Sequence, residues 1–245
     1  MTRSVVRRSL ILFAREPSRE ARAKGFSAGG AADLFASFAA GWLDAAERAG
    51  ATLVVAAPAE DLAAWRRCLP SDRGISWIAQ RGRSFGERLE ESARHVASEG
   101  GSSVLVGGDV PPSARAASRA FEALDRGAGA VLAPSPDGGV SLIAVGAEDL
   151  DLLGGLTAGS AAVFSTLAGA LEGRGRPVEL VDIAPDVDGR RDLRRLIRSG
   201  LLLLSRSLAL RALAIPSTPR AGHRPAPRTL RLAGPSGLRA PPAFA

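Results

Sequence analysis

The sequence predicts an α/β fold with a largely parallel sheet that is covered by helices on both faces. The first observation is that short apolar runs alternate along the chain with segments whose apolar residues recur at helical spacing. The second is that three apolar runs end in short acidic segments, at residues 107–111, 135–139 and 186–189. Ligands bind at the carboxyl ends of the strands in open α/β sheets, so we expect the acidic segments to meet at one sheet edge.

The first part of the chain is assigned from apolar runs and helical periodicity. Residues 9–14 predict a strand rather than an export signal, because Arg15 and Glu16 end the apolar run too early for a signal peptide. A loop rich in Arg, Glu and Gly follows, and apolar residues such as Trp42 then recur at helical spacing over 31–49. The next elements are a β-branched strand at 52–57, a helix at 60–69, a short strand at 75–79 and a helix at 85–98 entered through glycines.

The second part of the chain carries the acidic segments. A strand at 103–106 ends in the first of them, and a helix is predicted at 112–124. Strands at 130–133 and 140–145 flank the second segment, where a tight turn with two glycines predicts antiparallel pairing. The last elements are a helix at 161–171, a strand at 178–183 that runs into the third segment, and a helix at 190–199.

The chain divides into one domain at 1–200, an apolar C-terminal helix at 201–214 and a Pro- and Arg-rich tail at 215–245 that we expect to be disordered. The tail holds five arginines and no Asp or Glu, so the remainder carries only +2 of the net charge of +7. A solvated tail is therefore favoured over contact with RNA or anionic lipid. The apolar helix is short for a bilayer span and is interrupted by Arg206 and Arg211, which favours a docked helix over membrane-surface attachment.

Cysteine usage bears on the compartment. Cys68 is the single cysteine, so the chain has no intramolecular disulfide and no cysteine cluster for a metal. This composition fits a reducing environment, and we expect a cytoplasmic location.

Each acidic segment has a structural interpretation beside the functional one. Asp109 could cap the following helix, and Asp137 lies in a Pro-Asp-Gly-Gly turn sequence. Asp186 and Asp188 are two residues apart, so on extended backbone they face the same way, although Asp192 could also cap or solvate the next helix. The three segments together favour Mg²⁺ that carries substrate phosphates. The residues thus indicate a metal-assisted transferase acting on an activated nucleotide or sugar-nucleotide.

At these motifs the sequence resembles the bacterial DUF2064 proteins. The motifs that carry the resemblance are residues 10–17, Gln80 with 85–89, 107–111, 133–143 and 186–193. The family is glycosyltransferase-A-like (GT-A), is also called transferase 1 associated with radical SAM or selenodomain proteins, and is related to phospholactate guanylyltransferase-type nucleotidyltransferases. The resemblance covers residues 10–197 and implies a three-layer α/β/α, Rossmann-like GT-A fold with a mostly parallel mixed sheet.

The resemblance also implies roles for the matched residues. Asp109 would be the principal ligand of Mg²⁺ or Mn²⁺ and Asp188 the second, with Asp186 nearby. Gln80 would read a base edge and Gly86 would let the backbone approach the nucleotide. The residues expected at the nucleotide are Arg22, Lys24, Gln80, Gly86 and Arg88, and those expected at the acceptor or sugar are Asp137, Gly138 and Gly139.

The first loop departs from the family pattern and keeps mainly its positive charges. Lys24 is the sole lysine beside 31 arginines, and a compact ammonium suits a phosphate site. Lys24 and Arg22 are therefore assigned to the substrate phosphates, and Lys24 with Asp109 to catalysis.

The leading hypothesis is an enzyme that transfers a nucleotidyl or glycosyl group from an NTP or NDP-sugar to a small acceptor, without a specific nucleic-acid partner. One alternative is a degenerate homologue that binds or scaffolds without turnover. The other is a nucleic-acid or membrane-surface binder that acts through the basic tail.

Overall fold

The computed structural model describes residues 7–26, 28–201 and 206–214. The tail expected to be disordered lies outside these residues, as do positions 202–205 of the expected apolar helix, so the division of the chain into domain, helix and tail stays a prediction. No helix in the described ranges combines the length and the apolar character needed to cross a bilayer.

Seven strands form one mixed sheet in the order β3-β2-β1-β4-β6-β5-β7. The pairs β1–β2, β1–β4, β2–β3 and β5–β7 are parallel, whereas β6 pairs antiparallel with β4 and β5. The sheet confirms the predicted mostly parallel α/β fold, including the antiparallel hairpin. The strands are β1 Arg8–Phe13, β2 Thr52–Ala57, β3 Ile75–Ala79, β4 Ser102–Gly107, β5 Ala130–Pro134, β6 Val140–Val145 and β7 Val178–Leu180.

The described residues form nine α-helices, which cover both faces of the sheet. Leu10 and Leu12 of β1 pack with Trp42 on one face, and the intervening Ile11 packs with Leu89 on the other. The helices are α1 Pro17–Ala23, α2 Ala28–Arg48, α3 Leu62–Cys68, α4 Phe85–Ser98, α5 Ala114–Asp125, α6 Asp151–Gly154, α7 Val163–Gly173, α8 Arg190–Arg198 and α9 Arg206–Ala214.

The first difference from the sequence-based expectation lies in the loop after β1, which contains the short helix α1. Its start is fixed by the side chain of Glu16, which accepts hydrogen bonds from the backbone N–H groups of Ser18 and Arg19 at 3.0 and 2.7 Å. Pro17 suits the first turn because its missing N–H has no partner there in any helix. The predicted loop at this point is therefore wrong, and a helix turns the chain beneath the sheet edge.

Other boundaries shift for local reasons. The helix predicted from residue 112 begins at Ala114, because the Ser113 hydroxyl accepts a hydrogen bond from the Ala116 N–H at 3.2 Å and caps it. The strand predicted over 178–183 is shorter and ends at Leu180. The short helix α6 was not expected.

A third apolar cluster joins the two ends of the described chain. Phe26 and Phe35 pack with Val187 and Leu193, together with apolar residues of α8 and α9. This cluster holds the segment before α8 against α1 and α2, and so fixes the third acidic segment beside the first loop.

Candidate active site

Carboxylates from two of the three acidic segments meet at the carboxyl edge of the sheet. Asp109 follows β4, and Asp186 and Asp188 precede α8. Each of the three offers a carboxylate oxygen, and these oxygens lie within 4.8 Å of one another. We call these three residues the carboxylate cluster.

A backbone contact explains why the cluster forms. The N–H of Val187 donates a hydrogen bond to the Asp109 carbonyl oxygen at 3.0 Å. The Val187 side chain is buried in the third apolar cluster. The aspartates on either side of Val187 are thereby held next to Asp109, as the two-residue spacing predicts.

The side chain of Lys24 lies within the carboxylate cluster. Its Nζ is 2.5 Å from Asp109 Oδ2, donates a hydrogen bond to Asp188 Oδ1 and is 3.9 Å from Glu20 Oε1. Burial acts to lower the pKa of Lys24, but the charges and hydrogen bonds of Asp109 and Asp188 outweigh it and raise the pKa above its ordinary value. Lys24 is therefore a permanent positive charge at the site.

Asp186 is the member of the cluster whose charged form is disfavoured. Burial, followed by repulsion from the Asp109 carboxylate, raises the pKa of Asp186 to about 6. The Ser135 hydroxyl opposes this by donating a hydrogen bond to Asp186 Oδ1 at 2.8 Å. Crowded carboxylates that resist full ionisation favour a bound cation, and an all-oxygen donor set suits Mg²⁺ or Mn²⁺. The residues present fit a divalent ion of this kind.

Glu20 is a charged neighbour of the cluster that the sequence reasoning missed. It is buried, and its Oε2 lies 2.9 Å from Arg15 Nε. Burial, and then the Asp109 charge, raise the pKa of Glu20. The signal was available, because Glu20 precedes Lys24 by four residues and this spacing places both on one face of a helix.

A cleft of about 760 Å³ opens at the carboxylate cluster. Its walls come from the ends of β1, β3 and β4, from the turn between β5 and β6, and from residues 156–160. Of the residues singled out from the sequence, those that line the cleft are Lys24, Gln80, Arg88, Asp109, Asp137, Gly139, Asp186 and Asp188.

The predicted nucleotide-binding residues divide into two groups. Gln80 Nε2 donates a hydrogen bond to the Ala56 carbonyl oxygen at 2.8 Å, which fixes this amide beside the cleft at the end of β3. Arg88 is half-buried on α4. Arg22 does not line the cleft. Its side chain is 57% exposed, and its guanidinium lies 3.5 Å from Glu16 Oε1.

The predicted glycines serve close packing. A Cβ on Gly86 would lie 2.3 Å from the Gly154 carbonyl oxygen, so Gly86 lets α4 approach α6. Gly138 has φ +89°, and a Cβ there would lie 2.0 Å from the Ala161 carbonyl oxygen. The turn between β5 and β6 is thereby seated against the segment before α7.

Asp137 stands apart from the carboxylate cluster. It is exposed, and its Oδ1 accepts a hydrogen bond from the Gly139 N–H at 2.9 Å. This contact is the turn chemistry that the Pro-Asp-Gly-Gly sequence predicts. Asp137 nevertheless lines the cleft.

Residues 43–160 match the family described as "uncharacterized protein conserved in bacteria (DUF2064)". This match confirms the resemblance predicted from the motifs. No curated protein sequence matches the chain.

Solved structures share the fold at low sequence identity. A protein from Desulfovibrio desulfuricans G20, provisionally named a nucleotide-diphospho-sugar transferase, is 23% identical with a TM-score of 0.70, over 83% of this chain and 97% of that one. Rv0371c from Mycobacterium tuberculosis H37Rv, in complex with manganese, is 19% identical with a TM-score of 0.52, over 79% and 99%. The 4-diphosphocytidyl-2C-methyl-D-erythritol synthase of Anaerococcus prevotii DSM 20548 is 13% identical with a TM-score of 0.55, over 81% and 99%. The fold is thus of the GT-A and nucleotidyltransferase type.

Proposed function

We propose that this protein, whose central residues match DUF2064, is a divalent-metal-dependent transferase that moves a nucleotidyl or glycosyl group from an NTP or NDP-sugar to a small acceptor. The observation that carries the proposal is the carboxylate cluster, whose ligand oxygens lie within 4.8 Å of one another at the cleft, with a lysine among them. The nucleotidyltransferase-type fold of the structural neighbours supports the same substrate class.

The three cluster aspartates would hold Mg²⁺ or Mn²⁺. When bound, the ion would supply charge neutralisation at the substrate phosphates and at the leaving group. Lys24 lies at the same place and keeps its charge, so it would bind phosphate oxygens and counter their charge as the leaving group departs. Gln80 and Arg88 line the cleft and are the candidates for nucleotide contacts.

In this reaction the main task of the protein is to position the reactants. An oxygen of the acceptor attacks phosphorus or the anomeric carbon and forms the new bond, and any proton that it carried passes to solvent. The bond to the departing pyrophosphate or nucleoside diphosphate breaks, and its electron pair stays on the leaving oxygen. Placing the two reactants in line and compensating the charge are the main sources of rate enhancement in such transfers.

One observation favours a second candidate, a nucleotide-binding module without turnover. Lys24 already pairs with Asp109 and Asp188, so the chain supplies a cation where a metal ion would bridge these residues. A protein that had lost catalysis could keep its fold and its carboxylates in this way.

Melting temperatures measured with NTPs and NDP-sugars, each with and without Mg²⁺ or Mn²⁺, test the proposal. We expect one donor class to raise the melting temperature only when metal is present, and Asp109→Asn to abolish the effect while the fold stays intact. A donor that stabilises wild type and Asp109→Asn equally in EDTA would contradict the metal role.

Turnover of the stabilising donor then separates the two candidates. Release of pyrophosphate or nucleoside phosphate in the presence of acceptors supports the transferase. Metal-dependent binding without release of any product supports the binding module.

A further inference from the structure

One face of α8 carries a stripe of arginines. The stripe consists of Arg191, Arg194, Arg195 and Arg198, which are exposed and follow the i, i+3, i+4, i+7 spacing of a single helix face. The apolar residues Leu193 and Leu196 are buried. The Arg195 guanidinium lies 4.0 Å from Asp192. Within the described residues, the guanidinium groups of Arg191, Arg194 and Arg198 have no acidic partner.

The neighbouring helix α9 and the segment after α8 also expose basic and apolar side chains. Arg206 and Arg211 are exposed, and Arg211 lies 3.6 Å from Asp33. Leu201 and Leu210 are 56% and 49% exposed, and they account for two of the three large apolar side chains exposed in the described part of the chain. We call the arginine stripe together with these two arginines and two leucines the α8–α9 surface.

The two helices form one unit. The Arg190 guanidinium donates a hydrogen bond to the Leu213 carbonyl oxygen, and apolar residues of both helices share the third apolar cluster. The exposed residues of the α8–α9 surface are therefore carried by two helices that pack together, and its arginines lie outside the apolar cluster.

We propose that the α8–α9 surface docks on an anionic phospholipid membrane. Guanidinium groups form paired hydrogen bonds with phosphate oxygens, and basic residues close to an anionic bilayer are attracted to it. Exposed leucines beside them enter the boundary between headgroups and acyl chains, the arrangement of helices that lie in a membrane interface. This inference goes beyond the transfer reaction and does not depend on it.

The composition of this surface favours lipid over nucleic acid. Single-stranded nucleic acids are bound through aromatic side chains that stack on bases, and residues 190–201 and 206–214 contain none. Exposed leucines contribute nothing to contacts with a sugar-phosphate backbone, whereas they add binding energy at a lipid interface. The stripe begins three residues after Asp188, so the docking surface adjoins the segment that carries two of the cluster aspartates.

Vesicle sedimentation with the full-length chain tests the proposal. We expect the protein to sediment with phosphatidylcholine vesicles that contain about one third phosphatidylglycerol, to stay in solution with pure phosphatidylcholine, and to be released by high salt. The double variant Arg194→Glu/Arg198→Glu should lower the partition coefficient at least about tenfold. Leu201→Ser should lower it without any change in charge.

A matched control is available on α5. Arg115 and Arg119 are also exposed and four residues apart on one helix, so Arg115→Glu/Arg119→Glu makes the same change in charge at another place. We expect this control to bind vesicles as wild type does.

Three results would overturn the proposal. The first is unchanged sedimentation of both Arg194→Glu/Arg198→Glu and Leu201→Ser. The second is an equal loss in the α8 and α5 double variants, which would show a response to net charge alone. The third is tighter binding to a short RNA than to the vesicles, abolished by the α8 double variant, which would assign the stripe to nucleic acid.

Discussion

The ammonium group of Lys24 bridges Asp109 and Asp188, at 2.5 Å from Asp109 Oδ2 and in a hydrogen bond with Asp188 Oδ1. One cation of the chain thereby pairs with two members of the carboxylate cluster. A divalent ion would need the same oxygens. Metal and Lys24 would therefore compete for the cluster, and an occupied site would leave the lysine free to bind substrate phosphates.

Replacing Lys24 by Met should tighten metal binding. The substitution removes the competing ammonium, keeps an unbranched side chain and leaves the three carboxylates to the ion. We expect the affinity for Mn²⁺ to rise at least about fivefold, as measured by isothermal titration calorimetry or by the electron spin resonance signal of free Mn²⁺. Arg22→Met, at an exposed position outside the cleft, is the matched control. Unchanged or weaker Mn²⁺ binding in Lys24→Met would refute the competition.

Replacing Lys24 by Ala should slow the transfer reaction. If Lys24 compensates charge on the departing phosphate, we expect the turnover rate to fall at least tenfold, which is about 1.4 kcal/mol of barrier. Lys24→Arg should restore only part of the rate, because a planar guanidinium cannot take the position of the compact ammonium. Steady-state rates with saturating metal measure the effect. A Lys24→Ala protein with wild-type turnover would remove Lys24 from the mechanism.

Asp186 predicts a pH-dependent stability in metal-free protein. Its pKa is about 6 in the folded protein against an ordinary value of 3.8, so the folded state binds more protons in this interval. The protonated Asp186 side chain stabilises the folded protein. This stabilisation is fully present below pH 3.8, the ordinary pKa of an aspartate, and is lost as the pH rises through about 6. Asp186→Asn keeps the acceptor for Ser135 and carries no charge.

We therefore expect Asp186→Asn to melt about 2–4 °C above wild type at pH 7.5 in EDTA. The difference should shrink as the pH falls toward 4, and calorimetric scans at several pH values would follow it. A difference in melting temperature that does not change with pH would show that the charge of Asp186 does not destabilise the folded protein.

Gly86 is expected to act through packing. A Cβ would lie 2.3 Å from the Gly154 carbonyl oxygen, and backbone atoms cannot yield without moving α6. We expect Gly86→Ala to lower the melting temperature by at least about 4 °C. Gly169→Ala is the control, because Gly169 lies inside α7 with open space around it, and alanine there should raise the melting temperature by about 2 °C. Equal melting temperatures for wild type and Gly86→Ala would contradict the packing role.

The elements with strong local signals were predicted to the residue. β2, β3 and α4 have the predicted bounds. At α4 the reason is a capping box, in which Ser84 and Glu87 each bond the other's backbone and fix the first turn. The antiparallel hairpin was also found, because its turn carries Pro-Asp-Gly-Gly. The position of β6 between β4 and β5 depends on contacts distant in sequence, which no local pattern reports.

The sequence assigned both the aspartates and Lys24 to the site, but it missed Glu20 and the helix that positions Lys24. Strand ends share one edge of a parallel sheet, so the meeting of Asp109 with Asp186 and Asp188 follows from the fold. The location of Lys24 depends on α1, whose buried residues are few and form no apolar stripe. A helix that is held by the Glu16 cap and by tertiary packing shows little apolar periodicity in the sequence. The sequence therefore placed Arg22 with Lys24 at the phosphates, although Arg22 lies outside the cleft, and Glu20 was overlooked.

The hydrogen bond from the Val187 N–H to the Asp109 carbonyl oxygen joins two residues that lie far apart in the sequence. The segment that matches DUF2064, residues 43–160, contains Asp109 but neither of the other cluster aspartates, and Lys24 precedes it. During synthesis, a nascent chain that has emerged only as far as β6 therefore lacks two of the three carboxylates. If the cluster holds a metal ion, that ion can meet all three carboxylates only after the chain has been synthesised through Asp188 and the contact between Val187 and Asp109 has formed.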